Sequence, residues 1–252
     1  MSEYNQLLII AQDAARQAMQ VLVAMDNSLL SYEYANDLPR EMKSVVDCRL
    51  EGIILDYLKP TGISILSEES GEFGKFDNDG LRWVVDPLDG TVNYIRGLAP
   101  CAVSIALFRG DLPLFGVICE YPTCRLAWGG QLFGAFIEDC PIHVSAIQYK
   151  SQAILCTGFP SRFDFADASP ASFFEMVSSF GKVRMLGSAS LSLLQVAKGS
   201  VDAYAEQDIM IWDVAAGLAI VEGAGGSISM LQGRFQKSCN IFASNGLINL
   251  EK

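Results

Sequence analysis

Apolar residues recur at helical spacing from Leu7 to Val23 (Leu7, Ile10, Ala14, Ala18, Val21, Leu22), which predicts an amphipathic helix at the start of the chain. A second helical pattern runs from about Ser44 to Leu58. It places Val45, Val46, Leu50, Ile53, Ile54 and Tyr57 inward, and Lys59-Pro60-Thr61-Gly62 stops it. The texture then changes to short apolar runs bounded by Gly, Pro and Asp: Ile63–Leu66, Leu81–Val85, Ala102–Phe108, Phe115–Glu120, Leu126–Trp128 and Ala135–Glu138. These read as strands and hairpins of one sheet. Beyond Tyr149 strands and helices alternate. Strands are predicted at Ala153–Cys156, Val183–Leu186, Val201–Ala205, Ser227–Met230 and Ile241–Ala243, with helices at Ala171–Phe180, Ala189–Ala197 and Trp212–Gly223. The pattern predicts a mixed α+β and α/β fold in two closely packed lobes. Residues 1–140 carry two helices and a large, mainly antiparallel sheet, residues 141–252 an α/β lobe, and the boundary falls near 139–152.

Composition narrows the function classes. The 252 residues carry 18 Lys+Arg against 29 Asp+Glu, a formal charge of -11, so a phosphate backbone would be repelled and nucleic acid is excluded as a general partner. Half of the residues are hydrophobic, ample for a packed core. A single histidine, His143, removes histidine-rich zinc sites and bis-histidine haem. The seven cysteines are scattered, mostly among apolar neighbours and without a C-x-x-C pair, and read as reduced core residues. The sequence shows no signal-like start and no apolar run long enough to span a bilayer. The expectation is a cytoplasmic protein without a membrane partner.

The chemistry concentrates in Trp83-Val-Val-Asp86-Pro-Leu-Asp89-Gly90-Thr91-Val-Asn93. An apolar strand delivers Asp86 at its end, Pro87 is expected to force a turn, and Asp89 returns to the same side. Between the two carboxylates the Leu88 carbonyl can point the same way, which supplies the hard oxygen ligands that Mg²⁺ prefers. Gly90 lets the backbone approach a phosphate, and a helix beginning there would offer free N–H groups to the anion. Glu68, in Ser67-Glu68-Glu69-Ser70, follows an apolar run as Asp86 does, and Asp213 opens the last helical pattern. Taken singly, an Asp at a helix start stabilises the dipole and paired glutamates in a loop are ordinarily solvated.

Taken together, W-V-V-D-P-L-D-G-T-V-N-Y, the second motif from Ile211-Trp212-Asp213 through Gly217 to Glu222-Gly-Ala-Gly-Gly226, and Glu68-Glu69 upstream resemble the inositol monophosphatase family over nearly the whole chain. That resemblance implies alternating α-β-α-β-α layers and a homodimer. It implies a Mg²⁺-dependent phosphatase of a small polyol or sugar phosphomonoester, with two Mg²⁺ ions and room for a third. The implied metal ligands are Glu68, Asp86, Asp89, Asp213 and the Leu88 carbonyl, and Gly90 and Thr91 would hold the phosphate. Asp47 would hydrogen-bond the Thr91 hydroxyl and, with Thr91 and Glu68, serve the attacking water. Gly187, Ser188, Ala189, Glu206 and Asp213 would contact the alcohol. Direct attack by a metal-activated water follows from the charge that builds on a phosphomonoester dianion. Upstream of Asp47 the family's Lys…Asp-x-Val-Thr-x-x-Asp pattern is absent. Glu41 and Lys43 stand in altered positions, a departure that bears on the third metal and on the family's mobile loop around residues 33–44.

Two other functions compete. A 3′(2′),5′-bisphosphate nucleotidase would need a basic group for its second phosphate, for which Arg96, Lys43 and Arg184 are the candidates. An inactive binding protein would leave mutually repelling carboxylates without a purpose. Four local patterns are discounted. Cys119-x5-Arg125 contains a proline and no glycine, and reads as a strand leading into a turn. Asp77-Asn78-Asp79-Gly80 lacks the closing ligands of a calcium loop. Gly223-Ala-Gly225-Gly226 follows a helix and does not open one. His143 is expected at a strand edge without a catalytic partner.

Overall fold

A computed structural model describes residues 3–25, 32–35, 38–75, 80–159 and 170–248. The side chains of residues 3, 32–35, 38–44 and 170 are outside that description. Helix α1 (Glu3–Ala24) leads to a two-stranded hairpin, β1 (Tyr32–Ala35) with β2 (Leu38–Ser44), and then to α2 (Val45–Leu58). An eight-stranded sheet follows. Its strands are β3 (Ser64–Ser67), β4 (Gly71–Phe73), β5 (Leu81–Asp89), β6 (Cys101–Arg109), β7 (Leu112–Tyr121), β8 (Arg125–Gly130), β9 (Gly134–Ile137) and β10 (Cys140–Pro141), with the short helix α3 (Thr91–Ile95) after β5. Their spatial order is β10-β9-β8-β7-β6-β5-β3-β4, antiparallel except for the parallel β3–β5 pair.

The remaining chain builds a second sheet of five strands, ordered β12-β11-β13-β15-β14. These are β11 (Ile154–Thr157), β12 (Lys182–Arg184), β13 (Ala203–Met210), β14 (Ser227–Gln232) and β15 (Ser238–Ser244), interleaved with α4 (Pro170–Ser178), α5 (Ala189–Ala197) and α6 (Ile211–Gly223).

The layers follow from which faces are apolar. On β6, Cys101, Val103, Ile105 and Leu107 pack beneath α1 and α2, with Trp83 and Phe115. The alternate residues Ala102, Ala106 and Phe108 face a central layer of α5 and α6. A strand buried on both faces reads as one continuous apolar run, which is why this segment showed no alternation. Helix α6 is buried from Val214 to Val221 because both sheets press on it. The outer face of the small sheet, including Leu155, Ala203 and Ala205, is covered by Met176 and Val177 of α4. The order of layers is therefore α-β-α-β-α.

Several expectations need correction. On α2 the buried face is Val46, Asp47, Leu50, Glu51, Ile54, Leu55 and Leu58, while Val45 and Tyr57 are exposed. Counting apolar residues alone rotated the helix, because two acids belong to its inner face. Pro87 does not end its strand: β5 continues to Asp89 through a bulge in which Pro87 and Leu88 together oppose Val103. Proline has no N–H for the ladder, and the Leu88 amide is taken instead by Asp86 Oδ1 at 2.9 Å. His143 is exposed in a segment without strand pairing. Residues 38–44, where the family has a mobile loop, form β2 of a hairpin; the side chains of Glu41 and Lys43 lie outside the described residues. So does most of the Asp77-Asn78-Asp79-Gly80 pattern. Cys119 to Arg125 forms the β7–β8 hairpin turn, and Gly223-Ala-Gly225-Gly226 leaves α6 for β14. None of the seven cysteines forms a disulfide; Cys48 and Cys140 are exposed, and Cys101, Cys119, Cys156 and Cys239 are buried. The stretch Cys101 to Phe136 is largely buried within the sheet. Its exposed large apolar residues are Leu112 and Leu132, at hairpin ends.

Candidate active site

The site lies where β3 and β5 end against the N-termini of α5 and α6. A cavity of about 560 Å³ is lined by Glu68, Asp86, Leu88, Asp89, Gly90, Thr91, Gly187, Ser188, Ala189, Glu206 and Asp213 among others. These are the sequence-derived site residues with one exception, Asp47, which stands behind Thr91. Leu88 packs its side chain into the core beneath α1 and α2, so it meets the cavity through its backbone. None of the described lining residues is basic. A smaller cavity of about 330 Å³, between α4 and the outer face of the small sheet, adjoins it at Thr157, Gly158 and Glu206.

Each acid is placed by local structure. Glu68 follows β3 and its amide donates to Val85 O at 3.1 Å, which holds it beside Asp86 at the end of the parallel pair. Asp213 sits in the first turn of α6 and accepts from the Met210 backbone at the helix N-cap, an arrangement that satisfies a donor the helix leaves free. Asp89 accepts from the Ser188 hydroxyl at 2.5 Å, the Ala189 amide at 3.2 Å, the Ser190 amide at 2.8 Å and the Ser190 hydroxyl. A carboxylate at this end of α5 also meets the positive pole of the helix. Ser188, expected as a substrate contact, thus lines the cavity while its hydroxyl is engaged with Asp89.

Gly90 adopts φ +92°, and a Cβ there would lie 2.7 Å from Pro100 O, so only glycine fits between β5 and α3. With Gly90 at the N-cap, the amides of Thr91 and Val92 fall outside the helical hydrogen-bond ladder and border the cavity. The Thr91 hydroxyl lies 2.8 Å from Asp47 Oδ1 and 2.9 Å from Leu88 O, and can donate to either. Asn93, which sequence reasoning passed over, donates through Nδ2 to Pro100 O at 2.7 Å and Leu186 O at 2.8 Å. It thereby ties the phosphate-side corner to the loop before α5, where Gly187 takes φ +74° against the Asn93 amide. A polar residue inside an otherwise apolar helical turn was the signal available for it.

The electrostatics are those of a site short of positive charge. Burial raises the pKa of Asp86 well above the ordinary carboxylate range, and the neighbouring Glu68, Asp89 and Asp213 raise it further. Asp213 is raised well above its ordinary value for the same reasons, burial first, although its side chain keeps some access to the cavity. Asp89 is raised by burial against the opposing pull of the Ser188 and Ser190 donors. Burial pushes Glu206 up to about 7, while its hydrogen bond from Tyr204 Oη at 2.8 Å works the other way.

Among the described residues no three acidic, cysteine or histidine side chains are drawn together closely enough to enclose an ion. The donor set nevertheless fits a hard divalent cation: carboxylates and a backbone carbonyl, all oxygen, in a cavity where like charges already repel. Cations would offset the repulsion.

A profile of the inositol monophosphatase family matches residues 3–251. An inositol-1-monophosphatase from Synechocystis is 37% identical over 198 residues, covering 77% of this chain and 67% of that one. A Nus factor SuhB from Xylella fastidiosa is 34% identical over 243 residues, covering 92% and 87%. Among solved structures, an inositol monophosphatase from Anabaena superimposes with a TM-score of 0.82 at 33% identity, covering 98% of this chain and 93% of that one. The suppressor protein SuhB of Bartonella henselae gives 0.83 at 30% identity, covering 96% and 95%. The layered fold is shared with both. Sequence and architecture agree over nearly the full length, and the chain belongs to the inositol monophosphatase family and is a phosphomonoester hydrolase.

Proposed function

We propose that the protein hydrolyses a small polyol or sugar phosphomonoester, of which inositol 1-phosphate is the model, with Mg²⁺ as cofactor. The observation that carries the reading is the meeting of four carboxylates, Glu68, Asp86, Asp89 and Asp213, on one cavity with the Asp47–Thr91 hydrogen bond at its edge. Those four acids and the Leu88 carbonyl would hold the metal. When bound, Mg²⁺ supplies a lowered pKa for water and neutralising charge for the phosphate.

The chain's own groups do the rest. The Gly90 corner and the amides of Thr91 and Val92 receive phosphate oxygens at a backbone stripped of side-chain bulk. Thr91 orients a water through its hydroxyl, and Asp47, buried and already its hydrogen-bond partner, takes the proton. Attack is direct, without a phosphoenzyme. Glu206, Asp213, Gly187 and Ala189 border the space left for the alcohol.

The bisphosphate nucleotidase reading has less support. Arg96 and Arg184 are exposed and do not line the cavity, so among the described residues a second phosphate finds no cation. Phosphate release from a panel of inositol phosphates, sugar phosphates and adenosine 3′,5′-bisphosphate, with and without Mg²⁺, tests the assignment. Polyol or sugar monophosphates should be turned over with Mg²⁺ alone; preference for the bisphosphate, or no release from any, overturns it.

A further inference from the structure

Helix α2 turns two acids inward, Asp47 and, one helical turn later, Glu51, which is only 4% exposed. Asp47 has its place in the reaction through Thr91. Glu51 does not line the catalytic cavity, yet a carboxylate kept inside a fold must be compensated by hydrogen bonds. Two of its donors come from one residue. The Ser70 amide donates to Glu51 Oε1 at 3.0 Å and the Ser70 hydroxyl donates to Oε2.

Ser70 closes the turn between β3 and β4, the turn that carries Glu68. The start of this turn is fixed by the Glu68 amide on Val85 O at 3.1 Å, one residue before Asp86. Its far end is fixed by Glu51. Beyond it the chain reverses at Gly71, with φ +76°, into the three-residue strand β4, which pairs back on β3 with Gly71 opposite Ser67. Ser70 itself is exposed. Glu51 adds a tether from α2 on the turn itself to the β5 contact and the β3–β4 pairing.

We propose that Glu51 is a positioning residue for the metal centre: through Ser70 it sets the turn that aims the Glu68 carboxylate at Asp86. Helix α2 thus governs both halves of the site from a single face, the water side through Asp47 and Thr91 and the metal side through Glu51 and Glu68. The inference rests on the proposed role of Glu68 as a metal ligand.

The test is a calorimetric Mg²⁺ titration of wild type, Glu51→Ala, Glu51→Gln and Ser70→Ala, joined to amide hydrogen exchange over residues 68–70 in metal-free protein. Glu51→Ala should weaken Mg²⁺ binding about ten- to a hundredfold, as loss of groups supporting metal ligands does, and speed exchange in the turn. Glu51→Gln should restore most of the affinity, since its carbonyl can accept the Ser70 amide and its NH₂ can donate to the hydroxyl. Ser70→Ala, which keeps the amide contact, should fall between. If Glu51→Ala does not fold, Ser70→Ala decides: weakened Mg²⁺ binding at unchanged Tm supports the proposal. Wild-type Mg²⁺ affinity in Ser70→Ala and in a folded Glu51→Ala would overturn it. A wild type that binds no Mg²⁺ would overturn the metal centre itself, and this inference with it.

Discussion

The Thr91 hydroxyl lies 2.8 Å from Asp47 Oδ1, joining residues 44 apart in sequence at the edge of the acidic cavity. Asn at position 47 would still accept that hydrogen bond but could not take a proton. Asp47→Asn should therefore lower kcat by roughly 10²- to 10⁴-fold while Mg²⁺ binding and Tm stay near wild type. Steady-state kinetics paired with a thermal melt checks this. Near-normal kcat would remove Asp47 from the chemistry.

Asp86→Asn should abolish turnover and yet stabilise the metal-free protein above the ordinary Asp pKa. In the folded state burial and three acidic neighbours raise the Asp86 pKa, so its contribution to stability is full at low pH and is lost as pH rises through the folded value. Asparagine avoids that loss. The melting temperature of the variant should exceed that of wild type in EDTA at pH 8, by roughly 2–4 °C for each kcal/mol recovered. The difference should close toward pH 4. A lower Tm for the variant throughout would refute the repulsion argument.

Glu206 gives a pH dependence with a stated window. Its pKa rises from 4.5 to about 7, burial being the main cause. Between those values the unfolded chain has lost the proton and the folded one keeps it. Stability without metal therefore falls as pH rises from 4.5 to 7, and changes no further from this group above that. Melting curves of wild type and Glu206→Gln across pH 4–8 should diverge within that window, with the variant losing less. Parallel curves would count against the assignment.

Asn93 links the Gly90 corner to the loop before α5 through carbonyls of Pro100 and Leu186. Asn93→Ala leaves two acceptors without their donor and should cost about 1–3 kcal/mol of stability. KM for substrate should rise, because Gly187 and Ala189 are no longer held against the phosphate corner. Urea unfolding together with kinetics reads both, and an unchanged KM would confine Asn93 to a structural role.

Much of this was legible where apolarity and geometry coincide. Helix α5 begins and ends where periodicity put it, Ala189–Ala197, and the acids of the Asp86–Asp89 corner line one cavity with Glu68 and Asp213. Legibility failed where polar residues do structural work. Val45 looked inward because apolar residues alone set the face of the helix, although the acids Asp47 and Glu51 are buried on α2. Strand β13 was expected to stop at Ala205, but it continues to Met210 through an irregularity between Glu206 and Ile209, where Asp208 takes φ +57°. The acidic Glu-Gln-Asp run concealed this extension. The partnership of Ser190 with Asp89 spans 101 residues and left no trace in spacing.

The most direct measurement is the initial rate of phosphate release from inositol 1-phosphate as Mg²⁺ is titrated into EDTA-treated protein. The expected result is no release without Mg²⁺ and a saturable rise as it is added, absent in Asp86→Asn. Release that proceeds undiminished in EDTA, or that survives in Asp86→Asn, would contradict the assignment of this acidic cavity as a metal-dependent phosphatase centre.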